Sequence, residues 1–399
     1  MTTERKYGVS DTQRSMWSCR HKWLMRYGLG LQSPEKPLAP YRGIIWADAM
    51  HRLPTDGLDD TLSYLDELEL MHLDADTFHT PAEDEIVKAT FAEVNCMLRR
   101  YVAQYDGDPF AGMTIMQSEH RLMSKVRTPS GRPSTRTDFM GIVDKLVLLN
   151  DRLWLLEHKA TSMELLKWVD AHSYDPQAPT YAWLEEEYTG QRIHGIIYDL
   201  AFTKPLKTAD QFETLKDGKR LKKHVGNTTA GEFRAALWRN GLSEEDATTR
   251  KGAEWYTETI ADLERREDDG WWFHREPVPF DRREVARTAG EIYTIATEIR
   301  RARDATKEMR DEMYDVAATG NHDELAEKAC GHLRAVAAKF PRNPAMCQTY
   351  GRKCRYMDLC RTHQPEAVND FVIRVRKGEP ANEPTEDAEE TETDIESPW

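Results

Sequence analysis

From Met116 to Thr161 apolar and polar residues alternate in short runs. "IMQSEHRLMSKV" reads as a strand, "TPSGRPS" as a Gly/Pro loop, "TDFMGIVDKLVLL" as a second strand, and "ND" as the turn into a third, "RLWLLEHKA". Around this block the spacing becomes helical. "GIIWADAMHRL" (Gly43 to Leu53) predicts a short helix and "LSYLDELELMHL" another. In "DEIVKATFAEVNCMLRRYVAQY" the residues Ile86, Phe91, Val94, Leu98 and Val102 are expected to face a core. A helix is expected to begin near Ser15, a further one over "PQAPTYAWLEEEY", and a buried strand over "IHGIIYDLAF". A long amphipathic helix is predicted from Asp281 to about Tyr314, with Val285, Ala289, Ile292, Ala296 and Ile299 inward. This order of elements predicts an α/β fold with a mixed central β-sheet flanked by helices.

Charge changes the picture in one respect. The 399 residues carry a formal net charge of −14, which argues against a nucleic-acid partner. Gly378 to Trp399, however, holds nine Asp or Glu and no Lys or Arg, so well over half of that charge sits in the tail. The segment "LKDGKRLKKH" concentrates Lys216, Lys219, Arg220, Lys222 and Lys223, a candidate phosphate-gripping loop, with plain solvated charge as the other reading. Trp271, Trp272 and Phe273 either stack on bases or form a buried strand. The tail ends in "DIESPW", which could recruit a recombination or replication partner or simply solubilise. No run of about 18 apolar residues suggests a membrane span, and "MTTERKYGVSDTQ" has no apolar segment of a secretion signal. A cytoplasmic protein is expected.

The chemistry concentrates in the hairpin "GIVDKLVLLNDRLWLLEHKAT". Residues two apart on a strand share a face, so Glu157 and Lys159 project together, and the turn returns them beside Asp144 at an edge of the sheet. Asp144, Glu157 and the backbone carbonyl of His158 are hard oxygen ligands suited to Mg2+ or Mn2+, and an adjacent ammonium would stabilise a nucleophile or a developing phosphorane. A salt bridge at a sheet edge is the alternative.

Six cysteines are too few for a disulfide framework. Cys347, Cys354 and Cys360 crowd "PRNPAMCQTYGRKCRYMDLC", and Cys19, in "SCRHKWLMRY", is the candidate fourth ligand of a four-cysteine site, zinc or iron-sulfur. Cys96 and Cys330 fall in helical apolar patterns and are expected as buried thiols.

The hairpin resembles the core of the PD-(D/E)XK nucleases, particularly the RecB-type exonuclease branch: an Asp, a hairpin, then Glu-x-Lys followed by Thr or a small residue. Val143 stands where the name-giving proline would be. Two more elements resemble that branch in the expected order. "GIIWADAMHRL" offers a metal-binding His51, and "DPQAPTYAWL" offers Gln177 and Tyr181 for a Gln-x-x-x-Tyr motif, four apart on one helical face. Glu119 stands where the family often has an acid, a candidate for a second metal. One cysteine before the core and three after it are similar to the AddB-like and CRISPR-adaptation nucleases, which implies a 4Fe-4S cluster clasping the N- and C-terminal segments. The resemblance spans roughly residues 8 to 365, and phage-encoded members look closest.

The implied organisation is an N-terminal arm (1–40), a restriction-endonuclease-like nuclease core (41–203) with a helical insertion (58–106), a basic insertion (204–270), a C-terminal helical region with the cysteines (271–365) and an acidic tail (366–399). The implied activity is a divalent-metal-dependent DNA exonuclease acting on ends or single strands. The alternative is a catalytically silent DNA-binding or recombination-accessory protein on the same fold. A four-cysteine zinc protein of unrelated chemistry is the third reading. Oligomeric state is open.

Overall fold

The computed structural model describes residues 8–32, 38–74, 81–172, 175–204, 207–213, 221, 225, 227–242, 254–268, 271–349 and 352–373. Strand β1 (Gly8–Ser10) leads directly into α1 (Asp11–Trp17), because the Ser10 hydroxyl accepts the Gln13 N–H at 3.2 Å and caps the helix there. The helix therefore starts earlier than the expected Ser15. Next come α2 (Arg20–Trp23), β2 (Leu31–Gln32) and α3 (Leu38–Asp74). The last joins the two helices expected in this region across a break at Gly57, φ 79° and ψ 178°, three residues after Pro54.

In α4 (Pro81–Gln104) the inward stripe is Val87, Phe91, Val94, Leu98 and Tyr101. Ile86, expected inside, is 42% exposed and Val87 is 1% exposed. A step of four carries Val87 onto Phe91, whereas Ile86 needs a step of five, which turns it off the face. Cys96 is likewise exposed and not the buried thiol expected, while Cys330 is buried.

The sheet is built from β3 (Thr114–Arg127), β4 (Pro133–Leu149), β5 (Arg152–Thr161), β6 (Ile193–Phe202) and β7 (Phe273–Pro279), with β1 added. It is mixed: β1–β4 and β5–β6 are parallel, and β3–β4, β4–β5 and β6–β7 antiparallel. Asn150 and Asp151 turn β4 into β5 with φ of 50° and 58°, the left-handed pair of a tight hairpin. Between β5 and β6 lie α5 (Leu165–Ala171) and α6 (Gln177–Thr189). Central β6 is almost wholly buried, as a strand covered on both faces must be. Helices α3 and α4 cover the β5–β6 face that bears His158 and Asp199, and α6 covers the face that bears Glu157 and Lys159.

After β6, α7 (Ala230–Arg239) and α8 (Glu254–Asp268) bury Phe233, Leu237, Tyr256, Ile260 and Leu263 in a small core of their own. Lys216, Lys219, Arg220, Lys222 and Lys223, and the tail beyond Ile373, lie outside the described residues. Trp272 and Phe273 are buried and Trp271 half-buried, and of the three only Phe273 lies in a strand, as the first residue of β7.

The long helix expected from Asp281 is two, α9 (Arg282–Ala305) and α10 (Lys307–Ala318). Buried Thr306 divides them by turning its hydroxyl back onto the Ala302 carbonyl at 3.0 Å. Then α11 (His322–Val336), a small hairpin of β8 (Gln348–Thr349) and β9 (Arg352–Lys353), α12 (Met357–Thr362) and β10 (Val372–Ile373) follow. Strand β10 pairs antiparallel with β2, and Tyr356 donates to the Leu31 carbonyl at 2.8 Å, so the C-terminal segment folds back on the N-terminal one. No helix among the described residues is long and apolar enough to cross a membrane.

Candidate functional site

Strand β4 has β3 along one edge, while β1 and β5 share the other. β1 pairs with Asp138 to Met140 and β5 with Lys145 to Leu149, which leaves 141–144 at a fork. Asp144 stands at its apex. The β4–β5 register pairs Lys145 with Leu156, so one further step would set Asp144 directly opposite Glu157. Like charges facing each other across a ladder are unfavourable, and the ladder ends there. Asp144 Oδ2 instead accepts the His158 N–H at 2.9 Å. The N–H and carbonyl of one strand residue point to the same side, so the His158 carbonyl also faces the fork. Glu119 lies opposite Asp144 in the β3–β4 register, between the Ser118–Lys145 and His120–Val143 pairs, with φ of 47°. A left-handed non-glycine residue inside a strand marks local strain.

Glu157 and Lys159 share a face and are 4% and 6% exposed, inside the sheet between β4 and β6 and not at the open edge expected. Lys159 Nζ donates to Glu157 Oε1 at 2.6 Å and to Gln177 Oε1 at 3.4 Å, and Gln177 Nε2 donates to the Tyr181 hydroxyl at 2.9 Å. Burial, then the Asp144 charge, push the Glu157 carboxyl upward against the pull of Lys159. Burial works against the Lys159 ammonium, but Glu157 and Asp144 outweigh it and hold it more firmly protonated. Burial also raises Tyr181, whose hydroxyl stays neutral. Glu157 is buried and Asp144 half-buried, and their carboxyl oxygens with the His158 carbonyl are hard donors of the kind a divalent cation takes; such a cation would also hold Glu157 ionised against its burial.

Tyr181 packs onto Gly141, where an added Cβ would come within 2.9 Å of the tyrosine ring and 3.0 Å of Leu184. The glycine of "GIVDK" therefore makes room for the tyrosine of "QAPTY". Gly141→Ala is expected to displace Tyr181 and cost about 1–3 kcal/mol of stability by overpacking, read as a lowered denaturation midpoint.

His51 reaches β3. Its Nδ1 lies 2.8 Å from Ser118 Oγ, and among the described residues no group of three or more His, Cys, Asp or Glu could hold a metal ion as placed. Three acidic residues, Asp11 and Asp199 buried and Asp175 half-buried, escaped the sequence reading. Asp11 forms a 2.6 Å ion pair with Arg14 and feels both Asp175 and Lys159. Asp175 holds the Gln177 N–H at 2.9 Å and bonds the Tyr198 hydroxyl. Behind β5, Asp199 Oδ2 accepts from Tyr101 OH and from Arg275 at 3.1 Å, and His158 Nδ1 lies 3.2 Å from it. The one available signal was the "SD" of Ser10 and Asp11, a helix-cap pair that the expected start at Ser15 passed over.

The cysteines converge in part. Cys19 Sγ accepts the Asn343 N–H at 3.5 Å, and Cys347 Sγ lies 4.0 Å from the carbonyl of that same Asn343. The Cys354 N–H bonds the Cys347 carbonyl at 2.8 Å. Burial raises the Cys360 thiol, Arg342 opposes it, and Cys19 and Cys347 are near enough to add to the rise. An amide aimed at a thiol sulfur and an adjacent guanidinium suit thiolate ligands. No protein-family model matches the sequence, and no curated protein matches it significantly.

Proposed function

We propose that the chain is a divalent-metal-dependent DNA nuclease of the PD-(D/E)XK type, degrading DNA ends or single strands. The observation that carries the reading is the buried chain Glu157–Lys159–Gln177–Tyr181 beside Asp144, in which the residues of two separate motifs of the resemblance meet through hydrogen bonds. Mg2+ or Mn2+ at Asp144, Glu157 and the His158 carbonyl, with His51 as a further ligand and Glu119 placed for a second ion, would lower the pKa of a coordinated water and polarise the phosphodiester. Lys159, held protonated, donates to the attacking or non-bridging oxygen. Gln177 and Tyr181 fix the reach of that ammonium.

Mn2+ or Mg2+ added to the protein with end-labelled DNA is expected to produce progressive loss of label, abolished by Asp144→Ala. The second reading, a non-cleaving DNA-binding protein, draws support from the commitment of His51 to Ser118. Retained DNA binding without loss of label under both metals would favour it.

For the cysteines we propose a structural 4Fe-4S cluster on Cys19, Cys347, Cys354 and Cys360. Anaerobically purified protein is expected to be brown and to carry about four irons per chain, with colour lost in Cys354→Ser. A colourless preparation holding one zinc would replace the cluster with a zinc site.

A further inference from the structure

An α-helix pairs each carbonyl with the N–H four residues ahead. Within α3 residue 54 is proline, which has no N–H, so the Met50 carbonyl loses its helical donor. Lys145 supplies the replacement. Its ammonium donates to Met50 O at 2.6 Å, and the whole residue is 1% exposed.

The placement of this contact gives it a second meaning. Met50 immediately precedes His51, and Lys145 immediately follows Asp144. A single hydrogen bond thus ties the helical turn that carries one proposed ligand to the strand residue beside another. The turn is anchored a second time, because His51 bonds Ser118, and Ser118 is the register partner of Lys145. Helix, Lys145, β4, β3, Ser118 and His51 form a closed ring of contacts. Lysine suits the role because four methylenes span from strand to helix while the head group satisfies an acceptor.

We propose that Lys145, through the Met50 carbonyl that Pro54 leaves open, is a positioning residue that sets His51 relative to Asp144 and so tunes the affinity of the site for a divalent cation. The inference rests on the reading of Asp144 and His51 as ligands.

The test is Mn2+ titration of the full-length chain followed by electron paramagnetic resonance of the free ion, which needs no turnover. Lys145→Met is expected to weaken Mn2+ binding by about 10- to 100-fold, the usual loss when a group that orients a metal ligand is removed. Pro54→Ala alone should bind nearly as the native chain does. Pro54→Ala combined with Lys145→Met should stay as weak for Mn2+ as Lys145→Met, because the alanine N–H satisfies the Met50 carbonyl within the helix but does not restore the tie from helix to strand. Lys145→Met binding Mn2+ as tightly as the native chain, or a double variant that recovers near-native affinity, overturns the proposal. Should Lys145→Met fail to fold, a folded double variant with weakened affinity supports it, and a double variant that binds as the native chain does or is also unfolded overturns it. Asp144→Ala separates the two levels. If the native chain takes up no Mn2+, or Asp144→Ala takes it up unchanged, the metal site itself is wrong. If Asp144→Ala loses Mn2+ and Lys145→Met does not, only the positioning role falls.

Discussion

Lys159→Ala is expected to lower the rate of DNA cleavage by at least about 100-fold, the range seen when one preorganised electrostatic donor is removed from a reaction centre. DNA binding and the visible absorption of the cysteine site should persist. The argument is geometric. The ammonium is held 2.6 Å from Glu157 Oε1 and 3.4 Å from Gln177 Oε1 in a buried position, so its location is fixed before substrate arrives. Removing it leaves Glu157 beside Asp144 without its partner, and Glu157, already pushed upward by burial and by Asp144, takes a proton in compensation. The fold should therefore survive, which circular dichroism would check. Lys159→Arg is a useful companion, since a planar guanidinium cannot reproduce the point charge of an ammonium in a closed pocket. Native-rate cleavage of an end-labelled duplex by Lys159→Ala would sink the mechanism.

The largest effect on stability is expected away from the carboxylates, at Asp199. This side chain is 1% exposed, accepts from both Arg275 and Tyr101, and has His158 Nδ1 3.2 Å away. Burial alone would raise its carboxyl, but His158 and Arg275 outweigh burial and hold it below the usual range. Asp199→Asn keeps the shape and strips the charge, leaving the Arg275 guanidinium, only 16% exposed, without its counterion. Breaking one partner of such a pair costs about 3–5 kcal/mol, measurable as a drop in unfolding free energy in urea. The depressed pKa sets the sign of the pH dependence. The contribution of Asp199 is present above about pH 4, where the unfolded carboxyl is already ionised, and is lost only as stronger acid protonates the folded one. A contrasting pair sharpens the prediction. Lys353 and Asp358 lie even closer, 2.9 Å apart, but are 56% and 69% exposed, so Asp358→Asn should change stability by no more than about 1 kcal/mol. Equal losses at the two sites would mean that burial is not what gives the Asp199 pair its weight.

The Asp199 cluster also bears on the candidate site. The His158 ring lies against Asp199, and the N–H of the same residue binds Asp144. Loosening the ring therefore loosens the peptide unit that orients the apical carboxylate. Asp199→Asn is expected to weaken metal uptake as well as the fold.

What the sequence determined by itself was whatever depends on spacing within one element. The two-residue turn at Asn150 and Asp151, the shared face of Glu157 and Lys159 and the contact of Gln177 with Tyr181 follow from periods of two and 3.6 residues, and all are present. The mixed sheet between helices followed from the order of such elements. Period does not set phase between elements. Only the folded chain decided that Val87 and not Ile86 meets the core, and that Cys96 faces outward. Only the β3–β4 and β4–β5 registers place Glu119, Asp144 and Glu157 in line across three strands, only the β6–β7 register sets Arg275 opposite Asp199, and only packing brings Asp11 to Lys159 and Lys145 to a carbonyl 95 positions earlier. These contacts join residues whose local surroundings carry no trace of one another. Their geometry comes from where strands pair and helices dock, which a linear pattern of apolar and polar positions does not encode.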